Sequence, residues 1–323
     1  MQSKPKLRIF IERNVALQQG WGQFIQPLGE RFQIRRLGAK PGTRLARYWP
    51  RVERLLLRHY IPCCRSGITY FAWGDAMVQR FEPNRRCFAT IHQPPSKWPA
   101  ELGAWAEAMG GIHLLSHEDA AELRKRAPKA NIRVILHGIW TDFWKPAEQA
   151  VAGAAPKLIF TGQYMRNFEM FFRVAEALRT RVPALQVEML LNPHIPLDYP
   201  LPAWVRRVGP FDAYQLREFY QSATLMWMPY NEVTASNSIT ESLSSGVPVV
   251  TTRVGGMPSY AAGGGMVLVQ NNDDAAALEA CARLLESPTE QAKLAEAARV
   301  NACNNLDWSL FVRQMGDFFA ASL

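Results

Sequence analysis

The sequence lacks the features that mark secreted, zinc-stabilised and membrane-spanning proteins. Its five cysteines are odd in number and contain no C-x-x-C spacing, so neither a disulfide framework nor a zinc site is predicted. No apolar run approaches the roughly 18 residues that a membrane span needs. The first residues, MQSKPKLRIF, have no signal-peptide pattern. These absences predict a cytoplasmic protein.

Acidic residues are scarce in the first half of the chain. Residues 1–150 hold 24 Lys and Arg against 12 Asp and Glu, whereas residues 151–323 hold 13 against 16. A basic half indicates an anionic partner such as a lipid headgroup, a phosphorylated acceptor or nucleic acid. The arginine pattern lacks the aromatic residues and motifs of a nucleic-acid-binding protein, so no nucleic acid is predicted as a partner.

Strand and helix patterns alternate along both halves, which predicts an α/β protein with two doubly wound, Rossmann-like domains. A chain of 323 residues is too long for one ordinary core. A segment poor in large side chains, 146–156, reads as the linker. We therefore predict a first domain over 1–150, a second over 151–305, and a C-terminal helix, 306–323, that returns to the first domain.

The richest polar stretch lies in the second half, MPYNEVTASNSITESLSSGVPVVTTRVGG from Met228. Ser236, Asn237 and Ser238 offer backbone amides at the start of a helix, where a phosphate binds readily. A carboxylate beside a phosphate would repel it, so Glu241 is better suited to accept hydrogen bonds from sugar hydroxyls. The alternative is a capped helix with a solvated glutamate.

Three features of the first half have two interpretations each. His92 ends a predicted strand, Cys87 to Ile91, where parallel sheets present ligands, although a lone histidine is usually structural. Gly20 and Gly22 allow either a close ligand approach or a plain turn. Arginines recur every three or four residues, which favours either a solvated helix face or a surface that lies on anionic membranes; they are Arg44, Arg47, Arg51, Arg54 and Arg58.

Several motifs in order resemble the retaining GT-B glycosyltransferases of family 4. ITESLSSGVPVVTTRVGG resembles the segment that ends the two-glutamate motif of that family, and LIFTGQYMRNFEMFFRVAEAL its donor-domain strand and turn. The segment of the family that leads to the linker is similar to VILHGIWTDFWKP. The section before its glutamates is similar to VGPFDAYQLREFYQSATLMWMPY, and its histidine loop is similar to ATIHQ. The resemblance implies two domains facing each other across a cleft.

The resemblance also implies roles for residues of the donor site. Glu241 matches the glutamate that binds the ribose hydroxyls, and the loop at Ser236, Asn237 and Ser238 receives the phosphates and the sugar. Gly209 and Phe211 lie where the backbone meets the nucleotide base. Gly162 belongs to the donor-domain turn.

Catalytic roles carry over to His92, Glu232 and Arg166. The histidine of this family contacts the transferred sugar. The first glutamate of the motif would lie eight positions before Glu241, at Val233, so Glu232 is one residue displaced. Of the two cations that neutralise the diphosphate, one is replaced by Gln163, and Arg166 is the candidate for the other.

The resemblance therefore implies a retaining, metal-independent glycosyltransferase with a nucleotide-diphosphate sugar as donor substrate and no cofactor. No D-x-D motif suggests a resident metal ion. The acceptor, a glycan, a lipid-linked saccharide or a protein, would bind the basic first domain at Gly20 and Gly22, with Arg47, Arg51 and Arg54 contacting an acceptor or the inner face of an anionic membrane. The alternative is a non-catalytic GT-B protein with a degenerate donor site.

Overall fold

The chain forms two compact units. The computed structural model describes residues 4–10, 28–37, 48, 51–53, 55–61, 66–148, 155–194 and 200–321. The first unit comprises residues 1–136 and 308–323, and the second comprises residues 137–307. Each unit is built on its own parallel β-sheet.

The sheet of the first unit has six described strands in the order β2-β1-β3-β4-β5-β6. The strands are β1 (Lys6–Phe10), β2 (Gln33–Leu37), β3 (Ile68–Phe71), β4 (Cys87–Ile91), β5 (Gly111–Leu114) and β6 (Ile132–Val134). Helices α1 (Leu102–Ala108) and α2 (His117–Arg126) follow β4 and β5. The central strands β3, β4 and β5 are buried along their whole length, as expected of a parallel sheet with covered faces.

The second unit repeats this plan in the order β12-β11-β10-β7-β8-β9. Its strands are β7 (Lys157–Thr161), β8 (Gln186–Leu190), β9 (Val205–Val208), β10 (Leu225–Met228), β11 (Val249–Thr252) and β12 (Met266–Val269). Numbered from β7, this is the strand order of dinucleotide-binding folds.

Among the described residues, six helices connect and cover the second sheet. They are α3 (Phe168–Arg181), α4 (Ala213–Gln221), α5 (Asn237–Ser244), α6 (Met257–Ala261), α7 (Asp274–Glu286) and α8 (Pro288–Asn305). Side chains cap several starts, because the first amides of a helix lack partners within it. Asp212 forms a capping box with Gln215 at α4, and Asp273 caps α7.

The last helix, α9 (Trp308–Ala320), belongs to the first unit. Phe319 is fully buried and its ring lies 5.1 Å from that of Tyr70 and 5.7 Å from that of Phe88. Phe318 also packs on Phe88, with ring centroids 5.1 Å apart. Helix α9 therefore packs into the core of the first unit.

The passage between the units differs from the predicted linker at 146–156. The second unit begins at His137 and ends at Asp307. The segment after His137 is bonded to helices of that unit, because the guanidinium of Arg299 donates to the carbonyl oxygens of Thr141 and Trp144 at 3.0 and 2.9 Å. The predicted boundary at residue 150 thus falls inside the second unit.

Two short helices, α1 and α6, were not predicted from the sequence, since their few turns give little periodic signal. Helix α8 starts at Pro288, because Ser287 caps it and a proline fits its first turn. Within the part of the chain that the structure describes, no helix is both long and apolar enough to cross a membrane.

Candidate functional site

A pocket opens in the second unit where the order of the strands reverses. β7 and β10 are neighbours in the sheet, and the chain runs from β7 to β8 on one side and from β10 to β11 on the other. In open parallel sheets, ligands bind outside the carboxyl ends of such strands. The pocket has a volume of about 410 Å³, and its lining includes Thr161, Gly162, Asn192, Phe211, Ser238 and Glu241. Four predicted donor-binding residues therefore share one pocket.

Helix α5 begins at this pocket without a side-chain cap. Ser236 occupies the cap position, but its hydroxyl makes no capping hydrogen bond. That oxygen instead accepts from the buried hydroxyl of Tyr230 at 2.7 Å. The amides at the start of α5, at Asn237 and Ser238, thus receive no cap from Ser236, and such amides with the helix dipole attract a phosphate.

Glu241 lies one turn further along α5 and contributes a carboxyl group to the same pocket. Its Oε2 accepts a hydrogen bond from the hydroxyl of Tyr220 at 2.8 Å. Burial raises the pKa of Glu241 from 4.5 to about 7, although the bond from Tyr220 opposes the rise. Burial and the neighbouring carboxyl group also raise the pKa of Tyr220. The pair places an acceptor for hydroxyl groups inside the pocket.

Arg166 supplies a cation at the edge of the pocket. Its Nε donates to the carbonyl oxygen of Thr161 at 3.1 Å and its Nη1 to that of Tyr164 at 2.9 Å. The guanidinium also lies 4.2 Å from the ring centre of Tyr230, within the range of a cation–π contact. A Cβ on Gly162 would lie only 3.1 Å from its Nη2. These contacts fix the charge beside the backbone of a pocket residue.

Gln163 bonds to Asn192, which lines the pocket. Its Oε1 accepts from the backbone amide of Asn192 at 2.9 Å, so this side chain joins the loops after β7 and β8. It carries no charge that could replace the missing cation of the turn. Gly162 has a φ of +76°, which favours glycine there.

The predicted base-binding residues lie on the loop between β9 and α4. Phe211 lines the pocket and packs on Phe219, with ring centroids 5.6 Å apart. Gly209 has a φ of +86°, and a Cβ there would meet the side chain of Leu190 at 2.4 Å. The glycine thus permits the close approach of this loop to β8.

Val233, eight positions before Glu241, is buried with 5% of its surface exposed. Its carbonyl oxygen accepts from the amide of Gly256 at 2.9 Å. Glu232 is partly exposed on the same loop. The loop therefore holds an apolar residue at the position where the family that this chain resembles carries its first glutamate.

His92 lies in the first unit, at the carboxyl end of β4. Its ring stacks on Trp73 with centroids 4.2 Å apart and planes 6° apart. The carboxylate of Asp75 accepts from the backbone amides of His92 and Gln93 at 2.8 and 2.9 Å. Its Oδ2 is also 3.6 Å from Nδ1 of His92. The stacked ring of Trp73 thus orients the imidazole, while the carboxylate of Asp75 holds the backbone at His92.

The predicted acceptor or membrane residues are described only in part. Arg51 is exposed on the first unit. Gly20, Gly22, Arg47 and Arg54 lie outside the described residues.

Sequence reasoning missed several side chains around these residues. Tyr220 and Tyr230 follow the apolar pattern of their elements and read as core. Asn192 lies on a proline-rich section that reads as surface, and Asp75 precedes His92 by too many residues to suggest a pair. Across the described ranges, no group of three or more His, Cys, Asp or Glu side chains is placed to hold a metal ion.

Residues 155–287 match the model of the family described as Glycosyl transferases group 1. The D-inositol 3-phosphate glycosyltransferase of Nocardiopsis dassonvillei is 27% identical over 233 residues, which are 63% of this chain and 54% of that protein. The chain thus spans about half the length of this curated relative. The family-model match, at residues 155–287, covers the strands and helices that build the pocket.

Solved structures match over both units. The sucrose-phosphate synthase of Thermosynechococcus elongatus has a TM-score of 0.74 at 15% identity, covering 98% of this chain and 99% of that chain. HepE of Anabaena, solved in complex with UDP and glucose, has a TM-score of 0.70 at 12% identity, covering 98% of this chain and 100% of that chain. At such identities the likeness establishes the fold. The resemblance to GT-B glycosyltransferases, with two Rossmann-like domains, is therefore confirmed.

Proposed function

We propose that this chain, which has the GT-B fold and matches the group 1 glycosyl transferases over most of its second unit, is a glycosyltransferase. It would take a sugar from a nucleotide-diphosphate donor and pass it to an acceptor. One observation carries the proposal: the pocket at the strand-order reversal holds the carboxyl group of Glu241 and the uncapped start of α5, and the fixed cation of Arg166 adjoins its lining residue Gly162. A nucleotide-diphosphate sugar carries hydroxyl groups and phosphates that match these three features.

The three features correspond to parts of the donor. The ribose hydroxyls would donate to Glu241, and the base would lie near Phe211. The diphosphate would bind at the amides of Asn237 and Ser238. Arg166 would lie beside the leaving phosphate, because its guanidinium adjoins Gly162.

The proposed chemistry follows from the leaving group. Negative charge builds on the phosphate as the glycosidic bond breaks, and positive charge builds at the anomeric carbon. Amides and a guanidinium that already lie at the phosphate stabilise this state without reorganisation. The reaction therefore needs neither a cofactor nor a resident metal ion, and we propose that it retains the anomeric configuration.

His92 is proposed to contact the transferred sugar, with Glu232 as the displaced equivalent of the first motif glutamate. Trp73 supports the first role, since its ring stacks on the imidazole, and Asp75 holds the backbone at His92. The acceptor, a glycan, a lipid-linked saccharide or a protein, is proposed to bind the basic first unit.

A second candidate function is nucleotide-sugar binding without transfer. The buried Val233 at the position of the first glutamate and the neutral Gln163 at a cation position favour it. Both changes remove groups that the resembling family uses on the donor sugar and the diphosphate.

A thermal-shift panel with UDP, GDP, ADP, CDP and their sugar conjugates tests the donor site. A ligand at 100 times its dissociation constant adds about 2.7 kcal/mol to the free energy of unfolding. We expect one base to raise the melting temperature and Glu241→Ala to remove most of that rise. Glu296→Ala, which changes an exposed carboxylate on α8, is the matched control and should respond as the wild type does.

Absence of a shift with every nucleotide would contradict the donor site. If a shift occurs, incubation of the preferred sugar nucleotide with glycan, lipid-linked and protein acceptors separates the two functions. Transfer, with the anomeric configuration of the product read by NMR, supports the enzyme. Binding without transfer to any acceptor supports the second candidate.

A further inference from the structure

The buried side chain of Tyr220 donates a hydrogen bond to the carboxyl group of Glu241. It is the penultimate residue of α4, only 1% of its surface is exposed, and its hydroxyl donates to Oε2 of Glu241 at 2.8 Å. Its ring packs edge-on against Trp144, with centroids 5.8 Å apart, and against Phe219 at the same distance. The position of the hydroxyl is therefore set by the core of the second unit rather than by a mobile side chain.

A glutamate on a helix has several rotamers, and holding one of them requires a partner. The bond from Tyr220 occupies one lone pair of Oε2, while the remaining acceptor sites of the carboxylate stay available to a ligand. A carboxylate can accept from two adjacent hydroxyls only if both its oxygens are correctly oriented. The vicinal hydroxyls of a ribose present such a pair of donors.

We propose that Tyr220 is a positioning residue that orients Glu241 towards the ribose hydroxyls and so sets the preference for ribonucleotides over 2′-deoxyribonucleotides. The inference rests on the proposed function, in which Glu241 binds the ribose. It assigns the discrimination to a pair of residues on two helices, α4 and α5, rather than to Glu241 alone.

The surroundings of the pair support the assignment, because Tyr220 is buried and Glu241 is half-buried in the wall of the pocket. A carboxylate in such a place costs free energy unless it is hydrogen-bonded. The bond from Tyr220 lowers the pKa of Glu241 against the effect of burial. The hydroxyl thus favours the ionised form, which is the stronger acceptor for the ribose.

Dissociation constants of UDP, GDP, ADP and CDP, each paired with its 2′-deoxy analogue, test the inference by calorimetry. We expect the wild type to bind the ribonucleotide of the preferred base about tenfold or more tightly than the deoxy analogue, in line with the cost of an unpaired buried polar group. Tyr220→Phe should lower this ratio severalfold, mainly by weakening the ribonucleotide. Its affinity for the deoxy analogue should change less than about twofold.

Tyr260→Phe is the matched control. Tyr260 is also a buried tyrosine of the second unit with 1% exposure, and its hydroxyl accepts from the backbone amide of His137 at 3.0 Å. This variant loses one buried hydroxyl outside the pocket and should keep the wild-type ratio.

The outcomes separate the inference from the proposed function. If the wild type binds ribonucleotides and deoxyribonucleotides equally, Glu241 does not bind the ribose. The inference about Tyr220 is then refuted as well. If the wild type discriminates and Tyr220→Phe discriminates equally, or weakens both ligands alike, only the positioning role is overturned. In the double variant with Glu241→Ala, Tyr220→Phe should have no further effect on the ratio, since the two residues act as one unit.

Should Tyr220→Phe fail to fold, Tyr220→Met tests the same contact. That side chain is apolar and has no hydroxyl group to donate to Glu241, which stays intact. A wild-type ratio in that variant would overturn the inference, and a lowered ratio would support it.

Discussion

At the scale of single residues, the chemistry of the site depends on groups whose partners are distant in the sequence. Glu241 bonds to Tyr220 on another helix. Arg166 stacks on Tyr230 and bonds to the backbone of its own turn. The ring of His92 stacks on that of Trp73 in the first unit. Each of these contacts fixes one rotamer of a side chain that would otherwise be free.

The raised pKa of Glu241, about 7 against an ordinary 4.5, predicts a pH dependence of stability. The folded protein binds this proton more tightly than the unfolded chain, so stability is lost as the pH rises from about 4.5 through 7. Glu241→Gln, which is uncharged at every pH, should therefore gain about 1–3 kcal/mol over the wild type at pH 8 and little at pH 4.

Urea unfolding of both proteins at pH 4, 6 and 8 measures this difference. Comparison of the two at each pH cancels the titration of all other groups. A constant difference across the series would show that the carboxyl group of Glu241 ionises normally in the folded protein. Glu296→Gln provides the matched control, because its carboxylate is exposed.

At the scale of elements, the loop between β10 and α5 is held by the turn before α6. Gly255 has a φ of +48°, and a Cβ on it would lie 1.8 Å from the carbonyl oxygen of Val233. No side chain can therefore replace this glycine without displacing the loop. Since the loop leads to Ser236 and the start of α5, its position decides where a phosphate can bind.

Gly255→Ala should lower the free energy of unfolding by at least about 2 kcal/mol and weaken nucleotide binding, because both the backbone conformation and the contact are unfavourable. Gly29→Ala is the matched control: nothing lies within 4 Å of a Cβ there, and the residue is helical. That change should leave stability unaltered or raise it slightly. Equal stability of the two variants in urea would refute this account of the loop.

Helix α9 illustrates a second property of elements. Its aromatic side chains Phe318 and Phe319 pack into the core of the first unit. The end of the chain therefore completes the unit with which the chain begins. This association depends on apolar burial and not on the exposed ion pair between Arg31 and Asp317, which is worth little.

At the scale of the whole molecule, the excess of positive charge in residues 1–150 motivates our proposal of peripheral contact with an anionic membrane. Tyr48 and Leu55 are 55% and 60% exposed, and Arg51 and Arg58 are exposed in the same part of the chain. Apolar side chains among cations are typical of surfaces that lie on anionic lipids.

Replacement of Arg47, Arg51 and Arg54 by Gln should reduce co-sedimentation with vesicles that contain anionic lipid, since each cation near such a surface contributes about 1 kcal/mol. Replacement of Arg124, Lys125 and Lys129 by Gln removes the same charge elsewhere and is the matched control. Equal losses for both triple variants would indicate a general effect of net charge. Binding by the wild type should also weaken as salt is added.

The parallel α/β class, the alternation of strands with helices and the place of the polar loop before α5 could all be predicted from the amino-acid sequence. Hydrophobic runs and turn residues are local signals, and the order of strands and helices follows from them. The sequence also singled out Glu241, because a polar residue one turn inside a helix at a strand end is a local pattern.

The partners of those residues and the passage between the units become visible only in the folded chain. Tyr220, Tyr230 and Asp75 act through contacts across elements, and an apolar pattern does not distinguish a core tyrosine from one that bonds to a site carboxylate. The segment 137–146 belongs to the second unit because Arg299, far along the chain, bonds to its carbonyl oxygens. Such pairings arise from packing, which composition and periodicity do not encode.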